Sequence, residues 1–424
     1  MKEVLFCYGK GKMKGTFEDE RLIGVLESHL HDYTPTDTEE NLVKQALENP
    51  IGSPKLSELV EGKKKVVIIA SDHTRPVPSK IIIPFMLSEI RKGSPDADIT
   101  ILIATGCHRG TTKDELIAKF GEKIVNTEKI VIHDCLDSEN MVSLGTLPGG
   151  GELIINRVAA EADFLCAEGF IEPHFFAGFS GGRKSVLPGV ASRNTVMANH
   201  CSKFIAHSNS RTGILDGNPI HRDMIFAAKT AGLRFIVNVV LGAEKQVLYA
   251  VSGDCDLAHR KGVEFLNKYA QVDAVPADIA ISTNGGYPLD QNVYQSCKGM
   301  TAAEATVKEN GVIIMLASSI DGHGGQSLYD TFKNESSNEV LYKQFLDTPA
   351  DKTIADQWQA QVYTRIFLKH KIIYISELPD EMIRDFHMIP AHSIEKAMSI
   401  AEELLGFKGT VTAIPDGISV IVKQ

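Results

Sequence analysis

The sequence predicts an α/β protein of two domains with mostly parallel sheets and an active-site cleft between them. Short apolar, β-branched runs such as KKVVIIA (64–70) recur along the chain, as expected for strands that are buried on both faces. Helical segments alternate with these runs, which is typical of doubly wound sheets. The 424 residues are enough for two or three domains. A linker, QVDAVPAD (271–278), separates the expected domains at 1–272 and 273–424.

The N-terminal domain is expected to begin with a hairpin, because KEVLFCYGKGKMKGTF places a Gly-Lys-Gly turn between two strand-like runs. The next predicted elements are, in order, strand KKVVIIA, loop SDHTRPVPS, helix IIPFMLSEIRKG, strand DITILIATG, loop CHRG, helix DELIAKFG, and strands KIVIHD and DFLCAEGF. Thr112 and Glu115 form a capping box at the start of DELIAKFG. Ser192 is expected to cap a single helix through NTVMANHCSKFIAH, and RFIVNVVL follows as a strand.

The C-terminal domain repeats the strand–helix alternation. Its predicted elements are strand IAIST, the polar loop NGGYPLDQNVYQSCKG, helix MTAAEATVKEN, strand GVIIMLAS, strand KIIYIS, a helix around HSIEKAMSIAEELLG, and strand ISVIV. Residues 325–370 are charged and mostly helical in pattern, and they contain the single tryptophan, Trp358.

Composition excludes several classes of protein. No run of about 18 apolar residues occurs, so a membrane span is not expected, and the N-terminus does not have the pattern of a signal peptide. The seven cysteines are scattered without a C-x-x-C pair, which indicates reduced thiols in the cytoplasm and no structural zinc. A net charge of −10 argues against a nucleic-acid surface, so an anionic ligand needs a local group of cations.

Polar and charged side chains follow four of the predicted strands. They are Asp72 and Arg75, then His108 beside Arg109, then His174 and Lys184, and finally Gln295 and Lys298. Because the carboxyl ends of parallel strands gather ligands, the pattern predicts an anion-binding cleft with two histidines. Each residue taken alone is better explained as a turn or surface residue, and we give His73 and His207 that structural interpretation.

The segment EPHFFAGFSGGRKSVLPGV (172–190) is close to a phosphate-binding loop but departs from it. That loop needs a glycine directly before its lysine, and Arg183 stands there, so a nucleoside triphosphate is not expected. The positive charge of Arg183 disfavours the ammonium form of Lys184, which makes amine chemistry such as covalent cofactor attachment plausible. A cation that merely binds phosphate is the alternative.

His200 lies three or four residues from apolar side chains on the predicted helix, at spacings that bury it. It is either a core histidine or a metal ligand. One side chain cannot hold a metal alone, so any metal here needs other ligands.

The motifs together resemble a known family, the lactate racemases that use a nickel-pincer nucleotide. The resemblance covers the whole chain and is carried by SDHTRPVP (71–78), TGCHRGTT (105–112), the segment 172–190, ANH ending at 200, and YQSCKG (294–299). It implies that Lys184 tethers a pyridinium-derived dithio mononucleotide, that this group supplies three nickel ligands, and that His200 supplies the fourth. It also implies that other enzymes build the cofactor.

The resemblance also implies roles for the remaining site residues. His108 and His174 resemble the paired acid/base residues. Residues that would contact the cofactor are Asp72, Thr74, Arg75, Gly178, Ser180, Gly181 and Gly182. Residues that would bind the substrate are Arg75, Tyr294, Gln295 and Lys298.

The chemistry of a 2-hydroxy acid agrees with a cofactor-dependent racemase, which would be lactate racemase, an isomerase. A general base contributes about 10²–10⁴-fold in rate, or roughly 3–5.5 kcal/mol. Enzymes typically lower the barrier by about 8–23 kcal/mol, so two histidines alone leave a shortfall. Removing the α-hydrogen as hydride, through a planar 2-keto acid, avoids a carbanion beside the carboxylate. The alternatives are the same chemistry on a larger 2-hydroxy acid, a non-catalytic carrier of the nickel cofactor, and a phosphate-binding transferase.

Overall fold

The structure is a computed structural model, and it describes residues 1–423. The strands are β1 (Lys2–Tyr8), β2 (Gly11–Phe17), β3 (Leu22–Val25), β4 (Lys65–Ser71), β5 (Asp98–Ala104), β6 (Lys129–Ile132), β7 (Met141–Thr146), β8 (Glu152–Asn156), β9 (Phe164–Phe170), β10 (Pro173–His174), β11 (Gly178–Phe179), β12 (Leu233–Leu241), β13 (Val247–Gly253), β14 (Gln271–Asp273), β15 (Ala277–Thr283), β16 (Val307–Leu316), β17 (Lys371–Ile375), β18 (Ile389–Ala391), β19 (Val411–Ile414) and β20 (Ile421–Lys423).

The α-helices lie mostly between these strands. They are α1 (Glu39–Glu48), α2 (Leu56–Leu59), α3 (Ser79–Gly93), α4 (Lys113–Phe120), α5 (Glu122–Thr127), α6 (Arg157–Ala160), α7 (Arg193–Asn199), α8 (Ser202–Ile205), α9 (Pro219–Thr230), α10 (Leu257–Ala270), α11 (Val293–Glu304), α12 (Gln326–Asn334), α13 (Asn338–Asp347), α14 (Gln357–Phe367), α15 (Asp380–Asp385) and α16 (Ile394–Leu405). The predicted α/β fold with mostly parallel sheets is confirmed.

The first large sheet has the strand order β13-β12-β9-β4-β5-β6. All its neighbouring strands are parallel except β12 and β13, which are antiparallel. Every residue of β9 and five consecutive residues of β4 and of β5 are buried, because helices cover both faces of a parallel sheet. The capping box predicted at Thr112 is present, with the Thr112 hydroxyl accepting from Glu115 N and the Glu115 carboxylate accepting from Thr112 N.

The strand order of this sheet reverses between β4 and β9. From β4 the chain adds β5 and β6 on one side, whereas β9 is followed by β12 on the other. Loops on either side of such a reversal diverge and leave a crevice at the carboxyl ends of the strands. The loops after β4, β5 and β9 carry most of the side chains that the sequence selects as a site.

The second large sheet has the order β18-β17-β16-β15-β19-β3, and all its strands are parallel. It reverses between β15 and β19, but the turn of the β1–β2 hairpin covers this crevice. Cys7 N donates to the Pro415 carbonyl at 3.1 Å, and Gly9 N donates to Asp290 Oδ2 at 2.7 Å. Phe6 and Phe17 of the hairpin pack in the same apolar cluster as strands β15 to β17.

Short strands join the two ends of the chain to the second half. β3 is the edge strand of the second sheet, so residues 22–25 pair with a part of the chain almost 400 residues away. The prediction that 271–278 is only a linker is wrong, because β14 pairs in parallel with β20. Strands of three residues are too short for their alternation of apolar and polar residues to be recognised in the sequence. The domain limits at 1–272 and 273–424 stay a prediction. Strand β3 does not follow these limits, because it lies within 1–272 but pairs in the second sheet.

Two further properties bear on the class of protein. Within residues 1–423 we find no helix with both the length and the apolar character that crossing a membrane requires. All seven cysteines are free thiols.

Candidate active site

Asp72 and His108 form the first functional pair, and they come from loops after the adjacent strands β4 and β5. His108 Nδ1 lies 2.8 Å from Asp72 Oδ2, and Asp72 is buried while the His108 side chain is 43% exposed. Burial alone would raise the pKa of the Asp72 carboxyl, but hydrogen bonds with His108 and Thr74 outweigh it and leave the pKa below its ordinary value. The carboxylate therefore fixes the orientation of a histidine whose other ring nitrogen is open to a ligand.

Thr74 and Arg75 extend this arrangement toward the cleft. The Thr74 hydroxyl donates to Asp72 Oδ1 at 2.6 Å, and Arg75 Nη1 donates to the same hydroxyl oxygen at 2.9 Å. Lys119 Nζ stabilises the loop after β4 by donating to the Arg75 carbonyl at 3.0 Å. Arg109, which the sequence placed among the site cations, instead forms an exposed ion pair with Glu115.

The glycine-rich segment after β9 folds as a compact turn. His174 and Gly178 pair in the short β10–β11 ladder, and Gly182–Ser185 forms a 3₁₀ helix. A Cβ on Gly181 would meet Asn238 Oδ1 at 2.7 Å and the Phe170 carbonyl at 2.8 Å. A Cβ on Gly182 would meet the His259 ring at 2.8 Å. These glycines are thus required by close packing, and their predicted contact with a cofactor phosphate stays a prediction.

The Ser180 hydroxyl stabilises the same turn by hydrogen bonding to its backbone. Its hydroxyl donates to the Phe170 carbonyl at 2.9 Å and accepts from Glu172 N at 2.9 Å. The predicted role of Ser180 in holding the cofactor would have to use its remaining acceptor capacity.

We expect Gly178→Ala to destabilise the protein more than the same change at Gly232. Both glycines have φ of +78°, where an alanine costs roughly 1–2 kcal/mol, but a Cβ on Gly178 would also lie 2.3 Å from the Ile214 carbonyl oxygen. Nothing lies within 4 Å of the corresponding Cβ on Gly232. Denaturant unfolding of both variants tests this, and equal losses would show that the turn can relax.

Arg183 and Lys184 both turn into the protein. Arg183 is fully buried and donates to the carbonyls of Ala177 at 2.8 Å and Gly181 at 3.2 Å. Lys184 Nζ makes no hydrogen bond to any residue that the structure describes. Burial lowers the pKa of the Lys184 amine well below its ordinary value, and the charges of Arg183 and Arg75 lower it further. The predicted effect of Arg183 is therefore present, but burial is the larger cause.

His174 lies beside this amine. Its Nδ1 accepts from Ala177 N at 3.3 Å, and its ring stacks on Phe175 at 5.0 Å between centroids. Burial lowers the pKa of the His174 ring well below its ordinary value, and Lys184 and Lys298 lower it further. The ring is therefore neutral at neutral pH and can accept a proton.

His200 does not lie within a continuous helix, contrary to the prediction. Helix α7 ends with His200 as its C-cap, and Cys201 begins α8 in an extended conformation. His200 Nδ1 lies 3.0 Å from the Val196 carbonyl, and the ring packs edge-on against Phe176 and Trp358. Burial lowers the pKa of the His200 ring to about 3, and the nearby Lys184 charge contributes. Nδ1 is thus a donor, which leaves Nε2 as a free electron-pair donor.

Tyr294, Gln295 and Lys298 lie on the first turns of helix α11, not in a loop as predicted. The Asn292 side chain caps this helix by accepting from Gln295 N at 3.1 Å. The sequence around Asn292 is polar, so the start of the helix was predicted as a loop. The Tyr294 hydroxyl donates to Asp356 Oδ1 at 2.9 Å. Burial lowers the pKa of the Lys298 ammonium, partly offset by Glu172 and lowered further by Arg75.

Glu172 and Trp358 are site residues that sequence reasoning did not select. The Glu172 carboxylate raises the pKa values of both Lys184 and Lys298, so it is close enough to both cations to offset part of their charge. Glu172 begins the segment 172–190, and Trp358 is the single tryptophan, so the sequence drew attention to both residues. Their spatial contacts could not be predicted from it. The structure thus brings His174, Lys184, His200, Lys298 and Arg75 close to one another, with Glu172 near the two lysines. His108 is joined to Arg75 through Thr74.

The donor set limits how a metal could be held. Across the part of the chain that the structure describes, no three His, Cys, Asp or Glu side chains are grouped as ligands. His200 Nε2 could therefore hold a metal only if a bound group supplied the other ligands.

Two family models match in tandem, the lactate racemase N-terminal domain over residues 8–213 and the lactate racemase C-terminal domain over residues 272–422. A lactate racemase of Thermoanaerobacterium thermosaccharolyticum is 52% identical over 425 residues, which cover 100% of both chains. The chain belongs to the lactate racemase family. The prediction of an enzyme of this family is thereby confirmed.

Other members and structures agree with this assignment. A lactate racemase of Lactiplantibacillus plantarum is 52% identical over 417 residues, or 98% of each chain. The structure of the lactate racemase apoprotein from T. thermosaccharolyticum superposes with a TM-score of 0.96 over 100% of both chains. A Thermotoga maritima protein shares only 18% identity at a TM-score of 0.67, over 92% of this chain and 100% of its own, and supports the fold alone.

Proposed function

We propose that this member of the family interconverts L- and D-lactate with a nickel-pincer nucleotide tethered to Lys184. One observation carries the proposal: the Lys184 amine, which has no hydrogen bond among the described residues, lies near His174 and near His200, whose Nε2 is free. The 52% identity to lactate racemases over the full length of the chain supports lactate as the substrate.

The residues fit the proposed cofactor. The neutral amine is the nucleophilic form, so the burial that lowers the pKa of Lys184 favours attachment by increasing the share of that form. His200 would be the protein ligand to nickel, because its ring is oriented by the Val196 carbonyl and wedged between two aromatic rings. When bound, this group supplies the acceptor for the α-hydrogen, so that lactate passes through planar pyruvate by hydride transfer coupled to proton transfer.

The chain's own residues move the hydroxyl proton. His108 and His174 come from loops on different strands, after β5 and β9, so they can approach the substrate oxygen from different directions. When the neutral His174 ring accepts the hydroxyl proton of one enantiomer, His108 must already carry the proton that it returns to the carbonyl oxygen as the second enantiomer forms. The reverse reaction starts from the opposite protonation states of the two rings. Asp72 orients His108, and the low pKa of His174 keeps that ring ready to accept.

The cations around Glu172 would bind the substrate carboxylate. Arg75 offers a planar pair of donors and Lys298 a point charge, and both approach the cleft beside His174 and Lys184. Gln295 has no side-chain hydrogen bond to a described residue, so its amide is available to the substrate. We further propose that the protein acts in the cytoplasm and receives its cofactor from maturation enzymes.

Chiral chromatography tests the proposed substrate. The holoprotein, co-expressed with the maturation enzymes, should convert either pure enantiomer of lactate into an equal mixture of both. A parallel panel of larger 2-hydroxy acids should be turned over more slowly. Faster turnover of another hydroxy acid, with lactate unchanged, would assign the chain to the alternative substrate.

A further inference from the structure

Two cysteines lie next to each other beside the proposed acid/base residue His108. Strands β5 and β6 are paired up to Ile103 and Ile132, and the backbone N of His133 donates to the Ile103 carbonyl at 3.1 Å. The Thr105 hydroxyl then donates to the His133 carbonyl at 2.7 Å. The two loops that follow, which carry Cys107 and Cys135, are therefore held together for several residues beyond the ends of the strands.

The two thiols are neighbours. Each of Cys107 and Cys135 is close enough to shift the pKa of the other, and Cys107 is exposed while Cys135 is half-buried. The neighbouring Cys107 thiol lowers the pKa of the Cys135 thiol to about 7, opposed by burial and by Asp134 and assisted by Arg193. A large fraction of Cys135 is therefore thiolate at neutral pH, which is the form that reacts with oxidants.

The pair also adjoins the opposite half of the protein. Arg193 N donates to the Cys135 carbonyl at 3.0 Å, and the carboxylate of Asp356 is close enough to Cys107 to raise the pKa of its thiol. Asp356 in turn accepts from the Tyr294 hydroxyl at 2.9 Å. The cysteines thus occupy the place where the His108 loop, helix α7 and the segment before α14 meet.

We propose that Cys107 and Cys135 form a reversible disulfide that switches off the acid/base function of His108. The formation of the bond needs a two-electron oxidant, for which hydrogen peroxide is the simplest class. The Cys135 thiolate attacks peroxide, which gives a sulfenic acid and releases water after protonation; the Cys107 thiol then displaces a second water and closes the S–S bond. Two thiols and one peroxide thus become one disulfide and two waters, and a dithiol reductant reverses the step.

The bond would act on His108 through geometry. Sulfur atoms in a disulfide are about 2.05 Å apart, much closer than two unbonded sulfur atoms can approach, so formation of the bond pulls residue 107 toward residue 135. His108 follows directly and depends on a 2.8 Å contact with Asp72. A displacement of about 1 Å at a catalytic group can cost on the order of 100-fold in rate. The consequence for turnover rests on the function proposed above, whereas the formation of the bond does not.

The test exposes the holoprotein to a stoichiometric excess of hydrogen peroxide and follows two readouts. Peptide mapping should show Cys107 and Cys135 in one cross-linked peptide that has lost two hydrogen atoms. Lactate racemisation should fall at least tenfold and return when a dithiol reductant is added. Cys135→Ser should keep its basal activity and lose the reductant-reversible part of the inhibition. Cys7→Ser, which removes a half-buried thiol far from this pair, should behave like the wild-type protein.

The two readouts separate the possible failures. A peptide map without the cross-link overturns the proposal, whatever the activity does. A cross-link that forms while Cys135→Ser is inhibited to the same extent as wild type overturns the switch. If the chain does not racemise lactate at all, the proposed function fails, but the cross-link can still be scored from the map.

Discussion

Replacing Lys184 with alanine is expected to abolish racemisation and to leave the purified chain at its unmodified mass, because the amine proposed as the attachment point is gone. The fold should survive. The half-buried Lys184 amine has no hydrogen bond among the described residues, so its removal leaves no partner unsatisfied and the denaturation midpoint should change little. Intact-protein mass spectrometry after co-expression with the maturation enzymes gives the first readout and chiral chromatography gives the second.

Lys203→Ala is the matched control for this experiment, because Lys203 is exposed and lies close in sequence. It should carry the same added mass as the wild-type protein and racemise normally. An active Lys184→Ala preparation, or an active wild-type preparation at its unmodified mass, would contradict covalent tethering.

Replacing either His108 or His174 with alanine is expected to lower racemisation by about 10²–10⁴-fold, the usual contribution of a positioned acid or base. The added mass on Lys184 should be unchanged, which distinguishes a catalytic defect from a loading defect. The two variants should also fail differently. Rapid acid quenching should detect pyruvate from one enantiomer of lactate in the first variant and from the opposite enantiomer in the second, because each retains one of the two bases.

His207→Ala is the control for the histidine variants, since His207 is exposed and its Nδ1 accepts only from a neighbouring backbone N, that of Asn209. Full racemisation by His108→Ala and His174→Ala would favour a protein that carries the cofactor without using it. Rapid entry of solvent deuterium at the chiral carbon, without any trapped pyruvate, would replace hydride transfer by simple deprotonation.

The parts of the fold that the sequence predicted well are those with strong local patterns. Strands β4, β5 and β9 are apolar throughout because both faces are buried, and such runs need no knowledge of the partner strands. Strands β3 and β14 escaped prediction because each exists only through pairing with residues far away in sequence. Helix α11 escaped because its first turn is built from polar residues that resemble a loop.

The residues of the candidate site were predictable for the same reason, since polar groups stood directly after buried strands. Their environment was not predictable. The break at His200 coincides with packing against Trp358, which comes from a helix more than 150 residues later. Glu172 gained importance only when the fold placed both Lys184 and Lys298 near it. Charge compensation of this kind depends on distances that spacing along the chain does not contain.

The two halves of the chain cannot be separated cleanly, because strand β3 from the N-terminal half is the edge strand of the second sheet. A fragment that starts after residue 272 would lack β3 and the β1–β2 hairpin, so β19 would have unpaired backbone groups and the crevice beside Asp290 would open to water. Such a fragment is expected to aggregate when expressed alone. Engineers who wish to divide this enzyme, for reassembly or for fusion, should therefore cut inside an exposed loop and keep residues 1–25 attached to the piece that contains the second sheet.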